Sequence, residues 1–319
     1  MLRLSRLQIC FLLPPALVSA VLLFVGGPGP DALRSVRYGW MAGHLLCFAL
    51  WSCLYLIWRG KLSFWRQLTE VVLLCVLVGG ATEILQSLVG REPSWRDVAN
   101  DVLGGLLAVL FFSSEKHQLP IWRLRLLRCP VVLLVVWSLL PLSRAVIDDL
   151  LAWRQFPLLS GFETPFEDTR WGGKSRRRVD DRIAYAGEKS LRVELVAGRY
   201  PGVFLNHFPA DWRDYESLSL QIYNPDSEPL ELHLRIHDQL HRTFDYLHRD
   251  RFNTPVDLMP GWNEVQARLA EVASAPRERD FDLGRVAGVG LFAVSLEQPR
   301  VIYLDEIRLL PASTAALAD

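Results

Sequence analysis

The sequence predicts two domains of unlike fold, an α-helical transmembrane bundle of about five spans followed by an all-β sandwich. Three observations carry this. Apolar runs at 7–27, 40–58, 68–90, 98–113 and 129–143 all fall in the first half of the 319 residues. From about Gly161 the hydrophobic period changes to two. The zero net charge conceals a split near residue 155, with 15 basic and 9 acidic residues before it (net +6) and 20 and 26 after it (net −6). Halves that differ in both hydropathy and charge sign meet different solvents.

The first three runs approach the roughly 20 residues needed to cross a hydrocarbon core of about 30 Å, and the last two extend into semi-polar turns. Run one could instead be a cleaved signal peptide, because Arg3 and Arg6 precede it and Val18-Ser19-Ala20 offers small residues for cleavage. Four further runs make a retained helix the simpler account. Basic residues set the orientation. Arg3 and Arg6, then Arg59, Lys61 and Arg66, then Lys116, Arg123, Arg125 and Arg128 mark three cytoplasmic segments. The other connections set Arg34 and Arg37 against Asp31, and Arg91 and Arg96 against Glu92 and Asp97. An odd number of spans then places the second half outside the cytoplasm. The expected domains are 1–150 and 156–311, with a tail at 312–319. The expected location is a bacterial inner membrane, crossed several times, with a cytoplasmic N-terminus and a periplasmic C-terminal domain. All five cysteines, Cys10, Cys47, Cys53, Cys75 and Cys129, lie in the apolar half, so the second domain must hold together without disulfides.

Polar residues at the ends of apolar spans are expensive and usually placed for a purpose. His44 lies near the outer end of run two, and Glu83 and Gln86 share a helical face near the outer end of run three. Arg91 and Ser94 follow in the loop. Asp97, Asp101, Gly104 and Ala108 then recur as one helical stripe. The predicted product is a polar pocket of His44, Glu83, Gln86, Arg91, Asp97 and Asp101. In it His44 could act as general acid or base, Glu83 as its orienting carboxylate and Arg91 as an anion clamp. A purely structural network of buried ion pairs explains the same residues. No Gly-x-Ser-x-Gly, His-Glu-x-x-His or P-loop motif accompanies them.

The ordered set His44 with Phe48, Glu83-x-x-Gln86, Arg91, Ser94-x-x-Asp97 and Gly104 resembles the VanZ-like membrane proteins over about residues 1–145. One position departs, because Asp101 stands where that family usually has Asn, with Asn100 beside it. The resemblance implies a cell-envelope protein, since the founding member is associated with low-level resistance to the glycopeptide teicoplanin. Membrane lipid and an envelope carbohydrate or lipid-linked saccharide are the implied partners.

In the second half Leu191, Val193 and Leu195, then Leu218, Leu220 and Ile222, then Leu230, Leu232, Leu234 and Ile236 alternate with polar residues, the mark of half-buried antiparallel strands. Further strands are expected at 202–208, 244–249, 262–269, 287–294 and 300–310. Turn signals separate them at Ala186-Gly187, Asn224-Pro225-Asp226 and Met259-Pro260-Gly261. Eight or nine short strands argue for a sandwich. The opening Gly161-Phe162-Glu163, the central Gly261-Trp262-Asn263 and the closing Tyr303-Leu304-Asp305-Glu306-Ile307 resemble galactose-binding-like jelly rolls of carbohydrate-binding modules.

That resemblance implies a structural Ca²⁺ held by Glu163 and Asp305, hard oxygen ligands being what the ion requires; an ordinary strand-edge carboxylate pair is the alternative. A sugar face is expected from the outward residues His233, Arg235 and His237, beside Gln221 and Tyr223, although a solvated sheet face reads the same way. Trp262 is expected in the core, with Trp171 and Trp212 undecided. His237, His241 and His248 are too loosely spaced for zinc. The basic run from Lys174 to Arg178 is expected in a loop near anionic headgroups, not on nucleic acid, since this half is net acidic. The leading function is glycan or glycolipid binding in envelope assembly or glycopeptide tolerance. An intramembrane enzyme or transporter of lipid-linked sugar phosphates is the alternative from another class, and a plain anchor is the third.

Overall fold

A computed structural model describes residues 6–24, 27–29, 31–59, 62–88 and 93–312. The chain divides into two compact units, Met1–Ala145 and Val146–Asp319.

The first unit contains helices α1 (Arg6–Phe24), α2 (Arg34–Trp58), α3 (Phe64–Leu88) and α4 (Trp95–Phe112), and most of α5 (Ile121–Gln155). They match the five apolar runs in order. Three of them, α2, α3 and α5, are long and apolar enough to cross a membrane. Helix α1 offers a shorter apolar stretch, Leu12–Leu23. Helix α4 carries Arg96, Asp97 and Asp101 in its first two turns, which lowers its hydropathy. The contact faces hold the polar His44, Gln67, Glu83, Asp97 and Asp101 among apolar residues such as Phe48, Phe64 and Val109, whereas Leu73 and Leu77 of α3 and Leu133 and Trp137 of α5 point outward. That pattern inverts a water-soluble bundle and suits lipid. At Gly104 a β-carbon would strike the Leu45 carbonyl and Ala49 amide of α2, so glycine lets α4 and α2 touch backbone to backbone. The chain enters α4 through Ser94, whose Oγ accepts the Asp97 amide at 3.3 Å, satisfying an orphan N–H of the first turn.

The second unit is a sandwich of two antiparallel sheets. Its strands are β1 (Leu158–Ser160), β2 (Trp171–Gly172), β3 (Arg176–Asp180), β4 (Ser190–Leu195), β5 (Gly202–Leu205), β6 (Ser217–Asn224), β7 (Leu230–Asp238), β8 (Phe252–Leu258), β9 (Gly261–Arg268), β10 (Val286–Phe292) and β11 (Arg300–Leu310). Sheet one runs β3-β4-β11-β6-β9, with β1 paired to β11; sheet two runs β2-β5-β10-β7-β8. The alternating apolar residues of β4, β6 and β7 are fully or nearly fully buried and meet Val203, Leu205, Val289, Leu291, Ile302 and Leu304 in one core. Each buried Leu or Ile contributes about 1.5–3 kcal/mol by leaving water.

Several expectations are corrected here. Residues 244–249 are not a strand. Asp238 caps the His241 amide at 3.1 Å and starts a 3-10 turn, Asp245 and Tyr246 adopt left-handed backbone, and β8 begins only at Phe252. Arg176, Arg177 and Arg178 lie on edge strand β3 instead of in a loop, where exposed charge blunts edge-to-edge pairing. Trp171 and Trp212 are in the core, whereas Trp262 is half-buried and outside it. The last turns of α5 belong to the second unit. There Asp148 takes Arg170 in a two-pronged ion pair, with Nε at 3.0 and 3.1 Å and Nη2 at 2.9 Å. Both side chains are buried, and Arg170 Nη1 also donates to the Leu159 carbonyl at 2.8 Å. Glu167 completes this corner by accepting the amides of Gly161 and Phe162 at 2.9 and 2.8 Å.

Candidate functional site

In the helical unit the sequence-predicted pocket is partly assembled. His44 Nδ1 lies 3.1 Å from Asp101 Oδ1, joining α2 to α4. Glu83 reaches the same region from α3, and one ligating atom from each of His44, Glu83 and Asp97 lies within 4.8 Å of the others. All four side chains are buried, at 2%, 5%, 8% and 0% exposure for His44, Glu83, Asp97 and Asp101. Glu83 Oε2 accepts the Ser94 amide at 2.6 Å, so the cap of α4 also fixes this carboxylate. A side chain at Gly79 would strike the Asp101 carboxylate, so the glycine makes room for it. Asn100 turns elsewhere, its Oδ1 accepting from Ser138 at 2.6 Å. Asp101, not Asn100, therefore stands against His44, and the group there is a carboxylate instead of an amide. Gln86 is not among the clustered groups, since its Nε2 donates to the Leu23 carbonyl of α1 at 2.7 Å. Arg91 lies outside the described residues. The remaining oxygens, Glu83 Oε1, Asp97 Oδ1 and Asp101 Oδ2, are buried without a hydrogen-bond partner among the described residues.

In the sandwich the expected single sugar face is split. Strands β6 and β7 are consecutive in sequence, yet the Asn224–Leu230 connection passes from one sheet to the other. Gln221 and Tyr223 therefore face outward from sheet one, and His233, Arg235 and His237 from sheet two, on opposite sides of the core. This corrects their expected adjacency. The pairing registers instead line up Arg178, Arg192, Tyr303, Tyr223 and Trp262 across the outer face of sheet one. The rings touch in sequence. Tyr303 and Tyr223 centroids are 6.1 Å apart, Tyr223 and Trp262 5.2 Å, and Trp262 and the exposed Tyr185 5.3 Å. Gln221 pairs in register with Glu264 beside this row, and Arg192 bonds Glu194. The result is an aromatic strip edged by planar hydrogen-bonding groups. Of this row the sequence pattern singled out Tyr223, with Gln221 beside it, and the strand order adds Tyr303, Trp262 and Arg192. Tyr303 in the middle of the last strand joins the row only because β11 lies beside β6.

Glu163 and Asp305 hold the loop that carries Tyr185. Asp305 Oδ2 accepts the Tyr185 and Ala186 amides at 2.7 and 3.1 Å, and its Oδ1 accepts the Glu306 amide at 2.8 Å. Glu163 Oε1 accepts the Glu188 and Lys189 amides at 2.7 and 2.8 Å. Burial pushes the Asp305 carboxyl up to about 6, against the pull of its N–H donors. Three N–H groups thus converge on Asp305 and two on Glu163 Oε1, so the two carboxylates clamp the loop.

On the outer face of sheet two His233 stacks on Phe292 at 5.3 Å, and the Arg235 guanidinium lies 5.7 Å over Phe204. His237 packs against His241 at 5.2 Å. Burial, followed by the charge of Arg251, lowers Arg235 to about 10, and burial with Arg235 and His241 nearby lowers His237 to about 3. Arg235 Nε, His237 Nδ1 and Arg251 Nε are buried without a hydrogen-bond partner among the described residues. His241 is tied elsewhere, to Asp250 at 3.0 Å, and Asp250 with Asp238 grips Arg279.

No family model matches the chain, and no curated protein matches it. Solved structures similar to it include an exo-β-agarase, at 18% identity and TM-score 0.39, covering 49% of this chain and 25% of that one. A family 11 carbohydrate-binding module from Clostridium thermocellum, in complex with a β-1,3-1,4-mixed-linked tetrasaccharide, is similar at 14% identity and TM-score 0.37, covering 49% of this chain and 95% of the module. An arabinose-bound α-L-arabinofuranosidase is similar at 12% identity and TM-score 0.34, over 49% of this chain and 25% of that one. The chain thus spans about a quarter of the agarase. The neighbours are carbohydrate-binding modules and glycoside hydrolases, and at TM-scores below 0.5 the likeness carries no functional argument.

Proposed function

We propose that this chain is a multi-pass protein of the bacterial inner membrane whose extracytoplasmic sandwich binds an envelope carbohydrate or a lipid-linked saccharide. The observation that carries this reading is the aromatic strip Tyr303, Tyr223, Trp262 and Tyr185 on the outer face of sheet one. Sugar rings present C–H faces that stack on aromatic rings, while their hydroxyls pair with planar side chains such as the half-buried Arg192 and the exposed Glu264. The opposite row of His233, Arg235 and His237 is a second contact face, suited to an acidic group because Arg235 and Arg251 have no carboxylate partner among the described residues. The apolar helices support the membrane location, and the basic connections support the orientation. The VanZ-like resemblance of the helical half extends the reading to envelope assembly or glycopeptide tolerance.

Full-length protein in nanodiscs, applied to an array of peptidoglycan fragments and other envelope saccharides, tests this. We expect at least one ligand. Trp262→Ala is expected to weaken it about tenfold, the loss of one stacked ring being worth about 1.4 kcal/mol. No binding, or binding that Trp262→Ala leaves intact, refutes the sheet-one site. A second reading, an intramembrane enzyme or transporter of lipid-linked sugar phosphates, is favoured by one observation: the carboxylate oxygens beside His44 that have no partner among the described residues.

A further inference from the structure

The cluster in the helical unit contains more acceptors than its hydrogen bonds explain. Three helices contribute to it, His44 from α2, Glu83 from α3 and Asp97 from α4, each side chain more than nine-tenths buried. Glu83 Oε1 and Asp97 Oδ1 have no donor among the described residues. Burying two bare carboxylate oxygens costs several kcal/mol unless a cation compensates them.

We propose that His44, Glu83 and Asp97 bind a divalent transition-metal ion of the zinc or manganese class. The ligands are His44 Nε2, Glu83 Oε1 and Asp97 Oδ1. Two carboxylates neutralise the two positive charges, and the imidazole selects a transition ion over calcium or magnesium. One ring nitrogen of His44 and one carboxylate oxygen each of Glu83 and Asp97 lie within 4.8 Å of one another, and side-chain rotation is what would bring Nε2, Oε1 and Oδ1 to the roughly 3.3 Å separations of a tetrahedral site with bonds of about 2.0 Å. The surrounding contacts are those of a metal centre. Asp101 takes the other ring nitrogen of His44 at 3.1 Å, fixing the tautomer that leaves Nε2 free. The Ser94 amide holds the second oxygen of Glu83 at 2.6 Å, and the Ser94 hydroxyl caps the helix that carries Asp97. Three protein ligands leave a coordination position for water or a substrate oxygen, as catalytic zinc sites do. The inference rests on the helical unit alone, and the result of the glycan array leaves it standing.

Full-length protein in detergent is stripped with chelator, then dialysed against Zn²⁺ alone or Mn²⁺ alone, and bound metal is measured by mass spectrometry and calorimetry. One ion per chain is expected. Glu83→Gln and Asp97→Asn are each expected to weaken binding at least tenfold, and Asp101→Asn by 10–100-fold as a positioning residue, on the scale of second-shell losses. Loading with Co²⁺ is expected to give visible ligand-field bands without thiolate charge transfer. That separates this centre from the free cysteines Cys47, Cys53, Cys75 and Cys129. The wild-type stoichiometry and cobalt spectrum decide the question even where a variant loses helical circular dichroism. No stoichiometric ion, a thiolate spectrum, or folded variants that bind within twofold of wild type overturn the proposal.

Discussion

The two units handle buried charge in opposite ways. In the sandwich each buried carboxylate is closed off by donors: Asp148 by Arg170, Glu167 by backbone amides, Asp305 by three amides, and Asp238 and Asp250 by Arg279. Its open charged or basic groups among the described residues include Arg235 and His237 on the outer face of sheet two, with Arg251 close enough to act on both. In the helical unit the open groups around His44 are acids, Glu83, Asp97 and Asp101. A closed pair holds a fold together, whereas an open group marks a place where something else is bound or a charge is suppressed. The difference teaches where each unit is architecture and where it is site.

The largest expected effect tests the closed side of this contrast. Arg170 and Asp148 are both buried, so Asp148→Ala leaves an uncompensated guanidinium and is expected to cost the sandwich about 3–5 kcal/mol, read by chemical denaturation. Asp97→Asn in chelator is expected to leave the helical unit at least as stable as wild type, because it removes a buried charge that no described donor holds. Equal losses in the two variants would break the comparison.

The helical unit has its own architectural test. Gly104→Ala would press a methyl group into the Leu45 carbonyl and Ala49 amide of α2 and is expected to cost about 1–3 kcal/mol by overpacking. A lower thermal midpoint of the membrane protein, with the near-ultraviolet signal of the sandwich unchanged at temperatures below it, is the expected result. A neutral outcome would mean that α2 and α4 are not held at the distance seen here.

Much of this was legible in the sequence, and what was not has a physical cause. His44, Glu83, Asp97 and Asp101 stand out because a polar side chain in an apolar run is expensive, and helical periodicity shows which of them share a face. Their grouping needed only neighbouring helices. Gln86 lies on the same face of α3 as Glu83, yet the end of α1 captures it, which no spacing within α3 reveals. In the sandwich, alternation identified β4, β6 and β7 and their buried residues, because period two is a local property. Strand order is not local. The row from Arg178 to Trp262 draws on five strands as far apart in sequence as β3 and β11, and the switch of sheets after Asn224 separated residues that a hairpin would have joined. Asp148 and Arg170 were invisible for a similar reason. One lies on a helix and the other beside a two-residue strand, with no repeat to connect them.

The smallest expected effect sharpens the open side of the contrast. His237 is held neutral in the fold by burial, with Arg235, His241 and Arg251 opposing its protonation and only Asp238 favouring it, so its pKa falls to about 3 from 6.5. A base whose folded pKa is depressed contributes stability that is complete above its unfolded value and is lost as the pH falls below it. Between pH 6.5 and 5 the upper limit is about 1.4 kcal/mol per pH unit, and for a half-buried ring we expect a total of about 1–2 kcal/mol. Asp305 acts in the other direction over part of this window, since a carboxyl raised to about 6 favours the fold as the pH falls toward 4. The two contributions partly cancel in the wild-type profile. The difference between wild type and His237→Gln isolates the histidine, because Asp305 contributes equally to both. Denaturation midpoints at several pH values are expected to show the variant losing less stability than wild type on acidification. Parallel profiles would mean that the base is solvated instead, and that the open face of sheet two is an ordinary polar surface.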